Sequence, residues 1–149
     1  MREIITLEMR DLEIAHEVLA EVFAEDPEPI PAWEEGNRSL LETCCACSEV
    51  EAFGVQKYPD IPAKVAKIFY SATKLHAFPN GNKRFAFVLT LQFLLLNNMR
   101  LTLDPGLGAE LAKHVADSDP QSERGHPDRM VAMLSELFCE FTEPREEPN

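Results

Sequence analysis

The sequence predicts a single-domain, all-α protein, a bundle of about six helices. Apolar residues recur every three or four positions over much of the chain, which is the period of a helix buried on one face. Capping residues and prolines separate these stretches, and only residues 99–103 alternate weakly, as a short strand would. With 149 residues the chain has the length of one ordinary domain. We therefore expect one domain over residues 1–141 and an acidic, flexible tail over residues 142–149.

The first two helices are predicted over residues 7–25 and about 39–50. Thr6 can cap the start of the first helix. The segment that follows it, residues 26–31, has a proline at every second position. It is expected to be a loop or a short extended stretch, because proline has no N–H to donate and disfavours helix in the residue before it.

A third helix is predicted from Asp60, a typical N-cap residue, to about His76. The fourth, from residue 81 or 82 to residue 96, is apolar nearly all round and is therefore expected in the middle of the core. Two further helices are predicted over residues 107–116 and 127–141.

The net charge and the hydropathy pattern exclude some classes of function. Lys and Arg number 14 against 26 Asp and Glu, a net charge of −12. Non-specific nucleic-acid binding needs a basic face, so it is not expected. The most apolar run, residues 85–96, is shorter than the roughly 20 residues that span a bilayer, and the N-terminus does not resemble a signal peptide. We expect a cytoplasmic protein without a membrane segment.

The four cysteines favour reduced thiols. Cys44, Cys45 and Cys47 crowd together, and Cys139 is remote. Neighbouring cysteines bridge each other poorly, and the spacing gives only a weak zinc pattern because no second pair of ligands follows. We expect half-buried, reduced thiols on a helix.

The stretch between the third and fourth helices, residues 76–84, is the part of the chain best suited to bind a ligand and to catalyse a reaction. The start of a helix binds anions through its unpaired backbone N–H groups and its dipole. Gly81 allows a close backbone approach, and Lys83 and Arg84 add two cations. Residues 76–100 carry three basic and no acidic residues, so this window is +3 and the rest of the chain is −15. Such a local positive window favours a small polyanion as ligand.

His76 stands at the other end of this loop. An imidazole can accept a proton from a hydroxyl near neutral pH, and a base beside a phosphate-binding loop is the minimum for phosphoryl or nucleotidyl transfer. The alternative interpretation is a simple turn after Pro79 that is flanked by a structural histidine.

The same stretch resembles the Fic motif, H-x-F-x-(D/E)-G-N-(G/K)-R. Six fixed positions match: His76, Phe78, Gly81, Asn82, Lys83 and Arg84. The likeness is greatest to the Doc (death on curing) toxin branch of the Fic/Doc family, in which Lys replaces the second glycine. Residues 36–42 and the apolar run after Arg84 are also similar, so the resemblance extends loosely over residues 36–103.

The resemblance implies a fold and a set of roles. The fold is a helical bundle with a short flap at about residues 30–38, which presents the target segment and here contains Trp33. His76 would be the general base on the target hydroxyl, and Phe78 would anchor the loop in the core. The phosphates of ATP or another nucleoside triphosphate would be held by four residues, through main chain and amide or through side chains: Gly81, Asn82, Lys83 and Arg84.

Two features bear on the metal and on regulation. Asn80 stands where the motif has a carboxylate that helps to hold Mg²⁺. An amide oxygen can bind Mg²⁺ without charge, so the resemblance implies a weakened metal site. The inhibitory helix pattern of Fic proteins, (S/T)-x-x-x-E-(G/N), has no complete match, so a separate antitoxin is expected to inhibit in trans.

The resemblance implies a Doc-like toxin that transfers a phosphate to a Ser or Thr hydroxyl of a target protein, a translation factor such as elongation factor Tu. Two alternatives stay open. One is AMP transfer (adenylylation), which differs only in the phosphorus that faces the hydroxyl. The other is a module that binds a nucleotide or a partner without turnover, because Asn80 carries no charge.

Overall fold

The computed structural model describes residues 3–146 of the chain. The predicted all-α class is confirmed, since six α-helices make up most of this part, with one short 3₁₀ helix at Trp33–Glu35 and four strands of two or three residues. The helices are α1 (Met9–Val22), α2 (Arg38–Ala46), α3 (Ile61–Lys74), α4 (Asn82–Leu96), α5 (Pro105–Asp117) and α6 (Pro127–Glu140). The strands are β1 (Glu51–Ala52), β2 (Val55–Gln56), β3 (Met99–Leu101) and β4 (Thr142–Pro144). In the described part of the chain, no helix combines the length and the apolar character that crossing a bilayer requires.

α3 and α4 form the centre of the bundle. α3 packs between α4 and α6, and α4 also contacts α1 and α5. The rings of Phe69 on α3 and Phe138 on α6 meet edge-on, with 5.6 Å between their centroids. Phe85 and Phe93 of α4 are almost completely buried. The loop that joins α3 to α4 is therefore attached to two well-packed helices.

Local capping sets where α3 and α1 begin. The Asp60 carboxylate accepts a hydrogen bond from the N–H of Ala63 at 2.9 Å, so the predicted N-cap is confirmed. The predicted Thr6 cap is wrong, because α1 begins only at Met9. Its start is fixed instead by the Asp11 carboxylate, which accepts a hydrogen bond from the N–H of Glu8 at 2.8 Å.

A short hairpin follows α2, which ends at Ala46 rather than near residue 50. β1 and β2 pair antiparallel, and the N–H of Lys57 closes the hairpin on the carbonyl of Val50 at 2.8 Å. The two turn residues, Phe53 and Gly54, have φ values of 54° and 76°. Both central residues of a type I′ turn need positive φ, and in a Phe-Gly pair only the glycine indicates it, so this hairpin could not be predicted from its turn residues.

The expected flexibility of the tail is wrong for its first residues. Residues 142–144 form β4, which pairs antiparallel with β3, the strand predicted weakly over residues 99–103. Arg100 on β3 and Glu143 on β4 form an ion pair across the two strands. The acidic, proline-containing composition of this stretch predicted no regular structure. Its backbone groups nevertheless pair with those of β3. Residues 147–149 of the predicted tail lie outside the described residues.

The sequence predicted that α4 is buried in the middle of the core, but one face of this helix is exposed. Leu91 is 39% exposed and Leu95 49% exposed, on the face of α4 that lies between α1 and α5. This face forms one wall of a concavity of about 840 Å³ between α1, α4 and α5, which we call the apolar groove. Its lining residues are Ala15, Val18, Leu19, Val22, Phe23, Lys83, Arg84, Phe87, Val88, Leu91, Gln92, Leu95, Pro105, Gly108, Ala109, Ala112 and Lys113.

The four cysteines are free thiols. Cys44 and Cys47 are buried, Cys45 is half-buried, and Cys139 is exposed. Burial raises the pKa of Cys44 from its ordinary value of 9.0 to about 12, and that of Cys45 to about 11. The thiols at α2 are therefore protonated at neutral pH and unreactive.

These pKa shifts predict a loss of stability at alkaline pH. The unfolded chain releases the thiol protons near pH 9.0, whereas the folded chain holds them until about pH 11 to 12. The stabilising contribution is therefore complete below pH 9.0 and declines as pH rises through that window. Urea unfolding at a series of pH values should show this decline, and a Cys44→Ala, Cys45→Ala double variant should show a shallower one. An equal decline in both proteins would contradict the assignment.

Candidate active site

The loop between α3 and α4 begins with a sharp change of direction at His76. The last turn of α3 is closed by the N–H of Leu75, which donates to the carbonyl of Ser71 at 2.9 Å. His76 then adopts a φ of 50°, in the left-handed region that few non-glycine residues occupy. Its side chain is exposed, so the imidazole is open to solvent at the end of α3.

Phe78 anchors the middle of the loop. Its ring is only 4% exposed and meets the ring of Phe85 edge-on, with 5.1 Å between centroids. The ring of His16 stacks on it at 5.4 Å, and that of Trp33 lies at 6.0 Å. His16 also shares a hydrogen bond of 2.7 Å with the carbonyl of Pro31. The aromatic cluster therefore joins α1, the proline-rich segment and the loop.

The proposed flap, residues 30–38, lies against this loop. It contains the 3₁₀ helix and no strand. The N–H of Asn37 donates to the carbonyl of Ala77 at 2.7 Å. A Cβ added at Gly36 would lie 2.7 Å from Phe78 Cε1, so only glycine allows this close approach. The segment is thus fixed to the loop on the side that carries Phe78.

Asn82 fastens the loop to the start of α4. Its Oδ1 accepts a hydrogen bond from the N–H of Phe78 at 3.1 Å, and its Nδ2 donates to the carbonyl of Phe78 at 2.8 Å. The residue is only 7% exposed, so the amide must find partners inside the protein. The resemblance to the Fic motif implied that this amide holds the nucleotide phosphates. The structure uses it within the loop instead, which leaves the main-chain N–H for a ligand.

The first turn of α4 lies where the sequence predicted an anion site. Gly81 precedes it with a φ of 74°, a conformation that favours glycine. The N–H groups of Asn82, Lys83 and Arg84 belong to the first turn of a helix, where no intrahelical acceptor exists. Three donors at the positive end of the helix dipole can bind an anionic oxygen.

A cavity of about 370 Å³ opens over this turn. It brings together every sequence-predicted site residue except the buried Phe78. The residues from the motif are His76, Pro79, Asn80, Gly81, Asn82, Lys83 and Arg84, and three more residues come from elsewhere: Glu28, Thr73 and Ala116. An exposed imidazole therefore faces the same space as two cations and a helix start. This arrangement can bind a polyanion and accept a proton from a group placed beside it.

Arg84 has two partners that the sequence analysis missed. Its Nη2 donates to the carbonyl of Glu28 at 3.3 Å, and its guanidinium carbon lies 4.7 Å from the centroid of the Phe23 ring. Both partners come from the segment around the end of α1, more than fifty positions earlier in the chain. No sequence pattern links such distant residues.

The end of α5 is held against the cavity by Lys74. Its Nζ donates to the carbonyl oxygens of Ala116 and Ser118, at 3.3 and 2.5 Å. These are carbonyls at the C-terminal end of α5, where a cation is favourable. Lys74 therefore fixes the wall of the cavity that Ala116 provides.

Comparison with known proteins agrees with this geometry. The family model described as the Fic/DOC family matches residues 7–94, more than half of the chain. A curated protein named Toxin Doc, from Mycolicibacterium smegmatis, is 34% identical over 65 residues. This match covers 44% of the chain and 50% of that protein, so the chain spans about half the length of this relative. No solved structure matches the chain significantly. The matched region contains α3, the loop and nearly all of α4, and the chain belongs to the Fic/DOC family.

Proposed function

We propose that this protein is a Doc-like toxin that transfers a phosphate group from a nucleoside triphosphate to a Ser or Thr hydroxyl of a target protein. One observation supports this more than any other. The exposed imidazole of His76 and the cations Lys83 and Arg84 line the same cavity over the start of α4. Family membership and the likeness to a curated Toxin Doc add support.

The chemistry requires one proton transfer and one displacement. The target hydroxyl places its oxygen near the terminal phosphorus, and His76 accepts the proton of that hydroxyl. A bond forms between this oxygen and phosphorus as the bond from phosphorus to the bridging oxygen breaks, and the nucleoside diphosphate leaves with those electrons. Lys83, Arg84 and the backbone N–H groups of the first turn stabilise the phosphate charge.

The side of the cavity at Asn80 suits a weakly held Mg²⁺. Asn80 is exposed at the cavity and offers a neutral oxygen donor, and Glu28 is the one carboxylate among the described residues that line it. Mg²⁺ commonly keeps several waters and binds through few protein oxygens together with substrate phosphates. When bound, the ion would neutralise phosphate charge.

The proposed target is a translation factor such as elongation factor Tu, and the segment at residues 30–38 is the proposed surface that receives its acceptor residue. Its contact with Ala77 places this segment beside the motif loop. Because a translation factor acts in the cytoplasm, we also propose a cytoplasmic location for this protein.

We further propose that a separate antitoxin binds in the apolar groove. The groove leaves large apolar side chains open to solvent, Val22 at 70% and Leu95 at 49%, which is typical of an interaction surface. Lys83, Arg84 and Lys113 border it in a chain that is otherwise strongly acidic. An amphipathic segment with apolar residues and an acidic side chain would complement this surface.

The transfer reaction predicts a defined mass change. Incubation of purified elongation factor Tu, or of a bacterial lysate, with the protein, ATP and Mg²⁺ should add the mass of one phosphoryl group to a target. His76→Ala should lower the rate by about 10²- to 10⁴-fold, because a general base is lost. His114→Ala, the same change at an exposed histidine outside the cavity, should keep the rate of the wild type. Intact-mass spectrometry measures both.

Other outcomes of that experiment separate the alternatives. Addition of an adenylyl mass would contradict phosphate transfer and support AMP transfer. A wild-type protein that binds ATP but modifies no target would support a module without turnover. Modification that survives His76→Ala and is lost in Arg84→Ala would retain the phosphate site and remove the base.

Asn80→Asp should tighten Mg²⁺ binding. A carboxylate in place of the amide adds one negative charge beside the ion and should lower the dissociation constant by about tenfold. Isothermal titration of Mg²⁺ into the protein with a non-hydrolysable ATP analogue measures this. Asn98→Asp makes the same change away from the cavity and should have no effect. Equal Mg²⁺ affinity in Asn80→Asp and the wild type would contradict a metal at this position.

Leu95→Glu should weaken antitoxin binding by about tenfold or more, because complex formation would bury an unpaired charge. Tagged His76→Ala protein is used as bait to isolate the partner from the organism of origin. The partner qualifies as the antitoxin only if its co-expression restores the growth of cells that produce the wild-type protein. Val55→Glu on the hairpin is the control, at a residue that is 66% exposed. Unchanged affinity in Leu95→Glu would exclude the groove.

A further inference from the structure

We propose that Phe23 and the carbonyl of Glu28 position the guanidinium group of Arg84 for the donor phosphates. Phe23 is then a positioning residue for nucleotide binding, although it lies outside the motif. The inference rests on the proposed function of the cavity. Its basis is geometric: the Phe23 ring lies 4.7 Å from the guanidinium carbon of Arg84, and the Glu28 carbonyl accepts from Nη2 of the same group at 3.3 Å.

An aromatic ring suits this task because of the shape of guanidinium. The group is planar and weakly hydrated, and one of its faces can stack on a ring while its N–H donors stay free in the plane. Arg84 has five such donors, of which the Glu28 carbonyl uses one. The others can form paired hydrogen bonds to phosphate oxygens. Holding a long side chain in place before the ligand arrives also reduces the entropy lost on binding.

The segment that supplies these partners is itself held in place. Phe23 caps the end of α1, and its N–H donates to the carbonyl of Leu19 at 3.0 Å. Farther along, the N–H of Glu28 donates to the carboxylate of Asp26 at 2.9 Å. Prolines on both sides of Glu28 restrict the backbone there.

The same segment then passes beside the start of α4. A Cβ added at Gly81 would lie 3.4 Å from Cδ1 of Ile30 and 3.7 Å from Nη2 of Arg84. The carbonyl of Glu28 therefore reaches Arg84 from a backbone that is fixed on both sides.

The first experiment measures ATP affinity by isothermal titration, without a target protein. Phe23→Leu should raise the dissociation constant by about threefold to tenfold, because leucine fills the space but offers no aromatic face. Phe23→Tyr retains the face and should stay within about twofold of the wild type. Phe53→Leu makes the same substitution at a fully exposed phenylalanine on the hairpin and should have no effect.

The second experiment observes Arg84 directly by nuclear magnetic resonance. Its Nε–Hε signal, assigned by its loss in Arg84→Lys, should be shifted by the ring current of Phe23. The shift should persist in Phe23→Tyr and disappear in Phe23→Leu. Thermal unfolding of each variant checks the fold, and Phe23→Met replaces Phe23→Leu if the latter does not fold.

The outcomes separate this inference from the proposed function. If the wild type binds ATP and Phe23→Leu binds it equally well, the positioning role is wrong and the donor site stands. If Phe23→Tyr loses as much affinity as Phe23→Leu, the role of Phe23 is only structural. If the wild type binds no ATP, the donor site and this inference both fail, while the resonance of Arg84 still tests the contact with the ring.

Discussion

The geometry of the cavity depends on the two hydrogen bonds between the Asn82 side chain and the Phe78 backbone. They close the loop into a fixed bend, with the Phe78 ring in the core and Asn80 exposed to solvent. Because the amide is buried, opening the bend would leave polar groups without partners, which is costly. The end of α3 and the start of α4 are thus held in fixed relative positions. As a result, His76 and Arg84 line the same cavity.

Arg84 lies where the cavity over the start of α4 adjoins the apolar groove. It lines both the cavity over α4 and the apolar groove, as does Lys83. The Phe23 ring, 4.7 Å from the guanidinium carbon of Arg84, is also part of the groove. An acidic residue in the groove and a phosphate in the cavity would therefore compete for the same cations. Under the proposed function, an acidic partner in the groove would therefore oppose binding of a nucleotide in the cavity.

Local signals predicted the elements on either side of the site well. Asp60 caps α3 as expected, and α4 begins and ends where the glycine and asparagine signals placed it. The hairpin after α2 escaped prediction because its turn depends on a positive φ at Phe53, a residue that rarely adopts one. β4 escaped because its partner strand lies some forty positions earlier in the chain.

The candidate site was likewise predicted only in part from the sequence. The motif identified which residues gather at the start of α4, but the resemblance to the Fic motif implied that the Asn82 amide holds a ligand. Only the packing of Phe78 shows why that amide is needed inside the loop. A motif shows which residue type stands at each position, but it does not show which hydrogen bonds the side chain at that position forms.

The sequence by itself determined the helices, their order and the residues of the motif loop, because these follow from capping, period and spacing within a few positions of the chain. The tertiary structure alone decided which face of α4 is left open and which residues hold Arg84. Those outcomes depend on how α1 and α5 pack beside α4 and on contacts such as that of Phe23 with Arg84. Contacts between residues so far apart leave no periodic trace in a single sequence, so only the folded chain reveals them.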